Sequence, residues 1–223
     1  MKKNLCIRYN LFFFLLLLNH VIHAQVPVYE EPRHKVVLLN DYVRLIDVHV
    51  PPNDTTLYHR HFTPSAIVFL TKNLTGSQPM GGTASTGQAI PGNTFFAGYG
   101  DKPIAHRVWN QDSTVYHVMD IELLNKTFAD SCEIIQNPSV QLSWNEKPAR
   151  MYRIHLNAGT LYSLLPGNCP HLLIMISGSA EIISGKTTKQ MKGGDFVWCD
   201  HENGFHISNV VSPSDFALLE LKK

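Results

Sequence analysis

The sequence predicts an all-β fold of the antiparallel sandwich or barrel type, and three observations support this. Most of the chain consists of short segments rich in β-branched and aromatic residues with alternating apolar positions. Clusters of Pro, Gly, Asn and Asp separate these segments as turns. No window shows a sustained 3.6-residue apolar period, so helices should be short and peripheral. The predicted strands are HKVVLL, VRLIDVHV, SAIVFL, TVYHVMDIEL, MYRIHL, HLLIMIS, AEIIS, DFVWC and FALLEL.

Residues 1–24 have the pattern of a secretory signal peptide. Basic Lys2, Lys3 and Arg8 precede a run of eight apolar residues, and the segment ends in a small residue, Ala24. An uncleaved anchor is the alternative, although the run is too short to span a bilayer comfortably. We therefore expect a secreted or periplasmic protein that has no membrane contact once the leader is removed.

The composition excludes several classes of protein. The 223 residues include 19 Lys+Arg and 18 Asp+Glu, and 44% of the residues are hydrophobic. This content is typical of a globular chain and excludes disorder, a coiled coil and a multi-span membrane protein. The near-neutral charge lacks the electrostatic footprint of a nucleic-acid-binding protein.

An internal duplication at an offset of 104 residues divides the chain into two β-units. The tripeptide Thr-Leu-Tyr at residues 56–58 recurs at residues 160–162. In each copy a proline-containing turn and an apolar strand follow, and later a glycine-led turn, an aromatic strand and a His-x-x-x-Asn or His-x-x-Asn segment. We expect an N-terminal unit over residues 35–124, a linker over residues 125–147 and a C-terminal unit over residues 148–223.

Two histidines in the first unit have the spacing of metal ligands. His59 and His61 flank one residue at the start of a predicted strand. Side chains alternate along a strand, so both imidazoles lie on one face, about 6–7 Å apart at Cα. A third ligand must come from elsewhere, and His106, which follows the aromatic strand, is the natural candidate.

These motifs resemble those of the cupin superfamily. The first cupin motif centres on His-x-His, as at residues 59–61, and the second ends in His-x-x-x-Asn, as do His106 and Asn110. The family's glutamate is absent, because Ser65 and Ala66 occupy its place. The resemblance implies two tandem cupin-type β-barrels (double-stranded β-helix, or jelly roll), that is, a bicupin, and also a homodimer.

The resemblance also implies a function. His59, His61 and His106 would hold a divalent metal ion (Fe, Mn, Ni, Cu or Zn) and leave positions open for a small-molecule ligand or substrate. Dioxygenase-like chemistry is the favoured activity, and sugar-acid isomerase or lyase chemistry is another. The alternative is a non-catalytic small-ligand-binding or structural cupin, in which the three histidines line an empty polar pocket.

His117 is the candidate acid–base residue. One face of its predicted strand carries His117, Met119, Ile121 and Leu123, and we expect this apolar face to point into the first barrel. His117 would then be a fourth ligand or an acid–base group beside the metal. A hydrogen-bonded core or barrel-mouth histidine is the alternative.

The second unit departs from the metal motif. At the offset of 104, Ser163 and Leu165 replace the His-x-His pair. His171 falls near the position of the family's glutamate, and His206 keeps the late position. We expect this unit to be mainly structural, or to contain a degraded pocket.

Three cysteines follow the leader, so at most one internal disulfide can form. A Cys169–Cys199 disulfide and separate thiols are the two simple arrangements. A metal cluster of these two cysteines with His171 and His206 is a third, although its spacing matches no standard zinc finger.

Overall fold

The structure is a computed structural model that describes residues 25–124 and 132–222. The predicted leader and the beginning of the predicted linker lie outside these residues. The described residues form nineteen strands and one 3-10 turn at Val28–Glu30, which confirms the predicted all-β class. No helix within the described residues is long and apolar enough to cross a membrane.

The N-terminal barrel consists of two facing five-stranded sheets. Its strands are β1 (Val26–Pro27), β2 (His34–Leu39), β3 (Val43–Val50), β4 (His59–His61), β5 (Ser65–Phe69), β6 (Asn73–Pro79), β7 (Ser85–Ala89), β8 (Thr94–Ala97), β9 (Ile104–Asn110) and β10 (Tyr116–Leu123). The outer sheet has the order β1-β4-β9-β6-β7, and the inner sheet has the order β2-β3-β10-β5-β8. All pairings are antiparallel except that between β1 and β4.

The C-terminal barrel repeats this plan with a five-stranded inner sheet and a four-stranded outer sheet. Its strands are β11 (Val140–Asn145), β12 (Ala149–Leu156), β13 (Tyr162–Leu164), β14 (His171–Ser177), β15 (Ser179–Ser184), β16 (Thr187–Lys192), β17 (Phe196–Cys199), β18 (Phe205–Ser208) and β19 (Ser214–Leu221). The inner order is β11-β12-β19-β14-β17, and the outer order is β13-β18-β15-β16. Strand β11 lies inside the predicted linker and extends the inner sheet.

The two inner sheets pack face to face and form an apolar layer that we call the seam. Leu45 and Met119 from the first barrel and Met151 and Leu172 from the second belong to this one buried cluster. Two further apolar clusters fill the barrel interiors, one in each unit. The central strands β10, β14 and β19 are therefore buried on both faces, which explains why they are almost continuously apolar.

The predicted orientation of β10 is wrong. Met119 and Ile121 pack into the seam, whereas Val118 and Asp120 line the interior of the first barrel. His117 alternates with the interior residues and therefore faces the second barrel. The prediction failed because the seam is as apolar as a barrel interior, so hydrophobicity does not distinguish the two faces.

Among the described residues, a disulfide links the predicted linker to the second unit. It joins Cys132 to Cys169, whose Cα atoms are 6.2 Å apart, and Cys199 is a free, buried thiol. All three predicted alternatives, the Cys169–Cys199 disulfide, the separate thiols and the Cys/His cluster, are therefore wrong. Cys199 is instead enclosed in the second barrel, where the Ser184 hydroxyl lies 3.4 Å from its sulfur.

A matching ion pair marks the duplication in three dimensions. Arg44 on β3 lies opposite Glu122 on β10, and the two side chains are ion-paired. Arg150 on β12 lies opposite Glu220 on β19 in the same register, with an N–O distance of 2.8 Å. These pairs allow residues of the two barrels to be matched position by position.

Candidate metal centre

Three histidines that the sequence singled out lie side by side in the first barrel. His59 and His61 alternate on β4, so both are buried while Arg60 between them is exposed. His106 on β9 lies directly opposite His59. The ring centroids are 4.7 to 5.1 Å apart, and the candidate ligand nitrogens all lie within 4.8 Å of one another.

Two of the rings are oriented through their Nδ1 atoms. Nδ1 of His59 donates to the Leu57 carbonyl oxygen at 3.0 Å, and Nδ1 of His106 is hydrogen-bonded to the Ser77 hydroxyl at 3.2 Å. Each ring therefore has only Nε2 available for a ligand. Partners of this kind fix the orientation of metal-binding histidines in proteins.

The third ring, that of His61, faces a buried carboxylate. Its Nδ1 is 3.5 Å from an Asp120 oxygen, and its Nε2 is 3.1 Å from Nε2 of His106. Nitrogens at this separation can both bind one ion at the usual imidazole–metal distance of about 2.0–2.1 Å. The three histidines thus fit a metal ion through their Nε2 atoms.

Asp120 is a site residue that the sequence reasoning missed. It is buried, and its Oδ1 is among the few buried polar atoms without a hydrogen-bond partner in the described residues. Burial and the neighbouring Glu122 raise the pKa of Asp120 to about 7. An acidic residue in the middle of an apolar strand was the available signal, because such residues are rarely buried without a partner.

Burial keeps the three imidazoles neutral. Desolvation, together with the charge of His106, lowers the pKa of His59 to about 2. The same causes lower the pKa of His61 to about 3, and desolvation with the charge of His34 lowers that of His106 to about 4. Neutral imidazole is the form that binds metal, so the environment favours ligation near neutral pH.

The histidines open onto a cavity of about 100 Å³ inside the barrel. Its wall is mainly apolar, and its polar residues include His34, Thr56, Tyr99 and Asp120. The full lining consists of His34, Val48, Val50, Thr56, His59, His61, Ile67, Phe69, Phe95, Tyr99, His106, Val108, Tyr116, Val118 and Asp120.

His34 and Tyr99 complete the polar part of the cavity, and the sequence reasoning found neither. The His34 ring lies 4.8 Å from the His59 ring, with its Nδ1 2.6 Å from the Val28 carbonyl oxygen and its Nε2 3.7 Å from the buried Glu31 carboxylate. The Tyr99 ring lies 4.6 Å from His61, and burial raises its pKa to about 12. Both residues lie outside the histidine motifs, so motif spacing could not indicate them.

His117 is not part of this centre. Its Nε2 is 2.7 Å from Oδ1 of Asp47, and its ring is stacked on that of His49 with centroids 4.0 Å apart. The inner sheet separates this group from the cavity, because Val118 and Asp120 occupy the cavity face of the same strand.

The matching residues of the second barrel, Ser163 and His206, form no such centre. Ser163 pairs with His206 across β13 and β18, as His59 pairs with His106, but both side chains are exposed. Their neighbours Tyr162, Phe205 and Ile207 fill the barrel instead. The paired strands thus present the opposite face to the interior.

His171 has a structural environment. It lies opposite Glu220 on β19, and its Nε2 is 3.4 Å from that carboxylate. Arg150 binds the same glutamate. This buried network occupies the position where the first barrel has Ser65 opposite Glu122.

Comparisons with known proteins identify the architecture. No protein-family model matches the sequence, and no curated protein is similar to it. Solved structures do share its fold. AerE from Microcystis aeruginosa superposes with a TM-score of 0.61 over 86% of this chain and 99% of that one, at 11% identity.

Two further solved structures share this fold. Procruciferin, an 11S globulin from Brassica napus, has a TM-score of 0.62 at 8% identity, covering 82% of this chain and 76% of its own. A point mutant of salicylate 1,2-dioxygenase from Pseudoaminobacter salicylatoxidans has a TM-score of 0.58 at 9% identity, covering 81% of this chain and 72% of its own. Identities this low concern the fold alone.

Proposed function

The chain has the cupin fold in its two-barrel form, and we propose that its N-terminal barrel binds one divalent transition-metal ion. The observation that carries this proposal is that three adjoining rings, those of His59, His61 and His106, direct their remaining nitrogens toward one another. A set of neutral imidazoles suits Fe, Mn, Ni, Cu or Zn. When bound, such an ion supplies a Lewis acid or an oxygen-binding centre.

The surrounding residues hold the ligands in place. The Leu57 carbonyl and the Ser77 hydroxyl fix the rings of His59 and His106. Asp120 faces Nδ1 of His61 and is the only cavity-lining carboxylate among the described residues. Its charge would orient that ring and increase its basicity. Asp120 thus compensates for the glutamate that the cupin motif has and this sequence lacks.

The substrate we propose is a small molecule with a thiol or with vicinal oxygens. The cavity of about 100 Å³ is well below the range of about 300–1,000 Å³ typical of drug-sized ligands. This size favours a compact molecule over one as large as a flavonol. Salicylate, which the name of one enzyme of the same fold gives as its substrate, is a molecule of compact size.

Dioxygenase-like chemistry is the activity we favour, with isomerase or lyase chemistry as another. His34 lines the cavity beside the ligand trio, with its ring in edge contact with that of His59, and its Nε2 is 3.7 Å from the buried Glu31 carboxylate. It therefore has the chemistry of an acid–base group that could exchange a proton with a bound substrate. His34 thus replaces His117 as the candidate acid–base residue.

A non-catalytic binding or structural role is the second candidate. It is supported by the 3.1 Å contact between Nε2 of His61 and Nε2 of His106, since two imidazoles can satisfy each other by a hydrogen bond. For either role we propose an exported protein, on the basis of the leader pattern in residues 1–24.

Elemental analysis tests metal binding. Purified protein would be reconstituted with Fe(II), Mn(II), Ni(II) or Zn(II), and bound metal would be counted in wild type and in His59→Ala/His61→Ala. We expect the double variant to lose one metal ion per chain. The control is Ser163→Ala/His206→Ala, which alters the matching exposed pair of the second barrel and should lose none. Equal metal content in wild type and the histidine variant would refute the proposal.

Oxygen uptake then separates the catalytic candidates. The Fe(II)-loaded protein would be offered small thiols, catechols and hydroxy-carboxylates, with a flavonol as the oversized comparison. Uptake with a small compound that is lost in His59→Ala/His61→Ala supports a dioxygenase. Binding of metal and compound without turnover supports the non-catalytic role.

A further inference from the structure

A second group of metal-ligand side chains lies on the opposite face of the inner sheet from the cavity. It consists of Asp47 and His49 on β3 and His117 on β10. His117 lies directly opposite His49 in the antiparallel register, and Asp47 is two residues along the same strand. Alternation along each strand places all three side chains on one face.

The distances within this group are those of a ligand set. Nε2 of His117 is 2.7 Å and Nδ1 of His49 is 3.4 Å from the same oxygen of Asp47. The three ligand atoms lie within 4.8 Å of one another. Ligand atoms of a tetrahedral ion with bonds of about 2.0–2.2 Å are separated by about 3.3–3.6 Å, so small side-chain rotations suffice to bind one.

The second barrel closes one side of the group. The turn at Gly194 adopts a φ of +90°, and a Cβ atom placed there would lie 2.9 Å from Cε1 of His117. The opposite side is open, because the His49 side chain is about half exposed, at 49%. The group therefore lies at the edge of the seam, partly sheltered and accessible to an ion from solvent.

We propose that Asp47, His49 and His117 form a second metal-binding site, independent of the histidine trio. Two imidazoles and one carboxylate are ligands for a borderline divalent ion such as Zn²⁺, Ni²⁺ or Cu²⁺, with water in the remaining positions. His117, which plays no part in the cavity, has a function in this site. An ion held here would lie where the turn of the second barrel meets the inner sheet of the first.

Titration with Zn²⁺ tests this site in the full chain. Metal-free protein would be titrated by calorimetry as wild type, His49→Ala and His59→Ala/His61→Ala. His49 is half exposed, so its truncation should leave the fold intact. Asp47→Asn is a second variant, which keeps the shape of the side chain and removes its charge. We expect wild type to bind two ions, His49→Ala to bind one, and Asp47→Asn to bind the second ion at least about tenfold more weakly.

His155→Ala is the matched control. His155 is also exposed and pairs with a carboxylate, Asp215, at 3.0 Å, but it belongs to no group of three ligands among the described residues. Its removal should leave the number of ions unchanged.

The outcomes separate this proposal from that for the cavity. An ion that is lost in His49→Ala but retained in His59→Ala/His61→Ala supports the site at Asp47, His49 and His117. This holds even if the histidine trio binds no ion. An unchanged number of ions and unchanged affinity in both His49→Ala and Asp47→Asn would overturn it. Equal loss in His155→Ala would also overturn it, because binding would then reflect surface histidines in general.

Discussion

The two barrels share a fold and an ion pair but differ in what fills them. In the first, Asp120 lies opposite Ile46 and faces a cavity. In the second, the matching residues are Leu218 and Tyr152, and both are fully buried in an apolar cluster. Leucine in place of the carboxylate and tyrosine in place of isoleucine fill the second barrel with apolar and aromatic side chains, so a packed core replaces the cavity.

The strands that carry the histidines in the first barrel, β4 and β9, also differ in orientation from their counterparts β13 and β18. His59 and His106 face inward in the first barrel, whereas the matching Ser163 and His206 face outward in the second. Because side chains alternate along a strand, a one-residue shift in strand register moves every side chain to the other face of the sheet. A duplicated motif therefore keeps its chemistry only if both the residue types and the strand orientation are kept.

The largest effect is expected from introducing the first barrel's carboxylate into the second. Leu218→Asp would bury a charge without a partner, which costs about 3–5 kcal/mol of unfolding free energy. Urea denaturation would measure the loss. The control Leu218→Met conserves volume and should cost less than about 1.5 kcal/mol. If the two variants were equally stable, the second barrel would not be a closed apolar core.

Asp120→Asn makes the reverse change in the first barrel, because it removes the carboxylate charge from the cavity. The variant keeps the shape of the side chain but removes the charge facing His61, so metal affinity should fall about 10–100-fold. Calorimetric titration in the His49→Ala background would isolate the cavity site. Glu122→Gln is the control, since Glu122 lies on the same strand but pairs with Arg44 outside the cavity. Unchanged affinity in Asp120→Asn would remove Asp120 from the centre.

The pH dependence of stability should also distinguish the barrels. The folded pKa values of the trio, about 2 to 4, lie below the unfolded value near 6.5. The unfolded chain therefore binds more protons, and stability falls as the pH decreases below 6.5, by up to about 1.4 kcal/mol per pH unit for each histidine. Asp120 acts in the opposite direction, because its folded pKa is raised.

Denaturation of the metal-free protein between pH 7 and about 5 would measure this slope. His61→Gln should reduce the slope, because it removes a histidine whose pKa is lowered by burial. A slope that is equal in wild type and His61→Gln would contradict the lowered pKa of His61.

The smallest effect is expected at the outward-facing pair of the second barrel. Ser163 and His206 are exposed and hydrogen-bonded to each other at 2.7 Å. Ser163→Ala/His206→Ala should change unfolding free energy by no more than about 0.5 kcal/mol. Thermal unfolding would show this, and a large loss would mean that the pair supports the barrel.

Much of the fold was predictable, because most strands of the inner sheets are rich in apolar and β-branched residues. Segments such as HKVVLL, VRLIDVHV and HLLIMIS match strands of the structure residue by residue. The polar strands β6, β7, β11 and β16 were missed. They lie in the outer sheets or at a sheet edge, where half-exposed polar side chains hide the strand pattern.

The candidate site was predictable only where it follows a motif. His59, His61 and His106 come from motif spacing, and the structure brings them together. Asp120 and His34 come from other strands, and only the folded sheets place them at the cavity. His117 was misplaced because Met119 and Ile121 beside it face an apolar seam rather than an interior.

An anomalous difference map of crystals grown with Mn(II) or Zn(II) tests the proposed metal centre most directly. We predict a peak in the first barrel about 2.0–2.2 Å from Nε2 of His59, His61 and His106. We predict no peak within the second barrel. A fully formed first barrel without a peak at the trio, in crystals grown at saturating metal, would contradict the proposed centre.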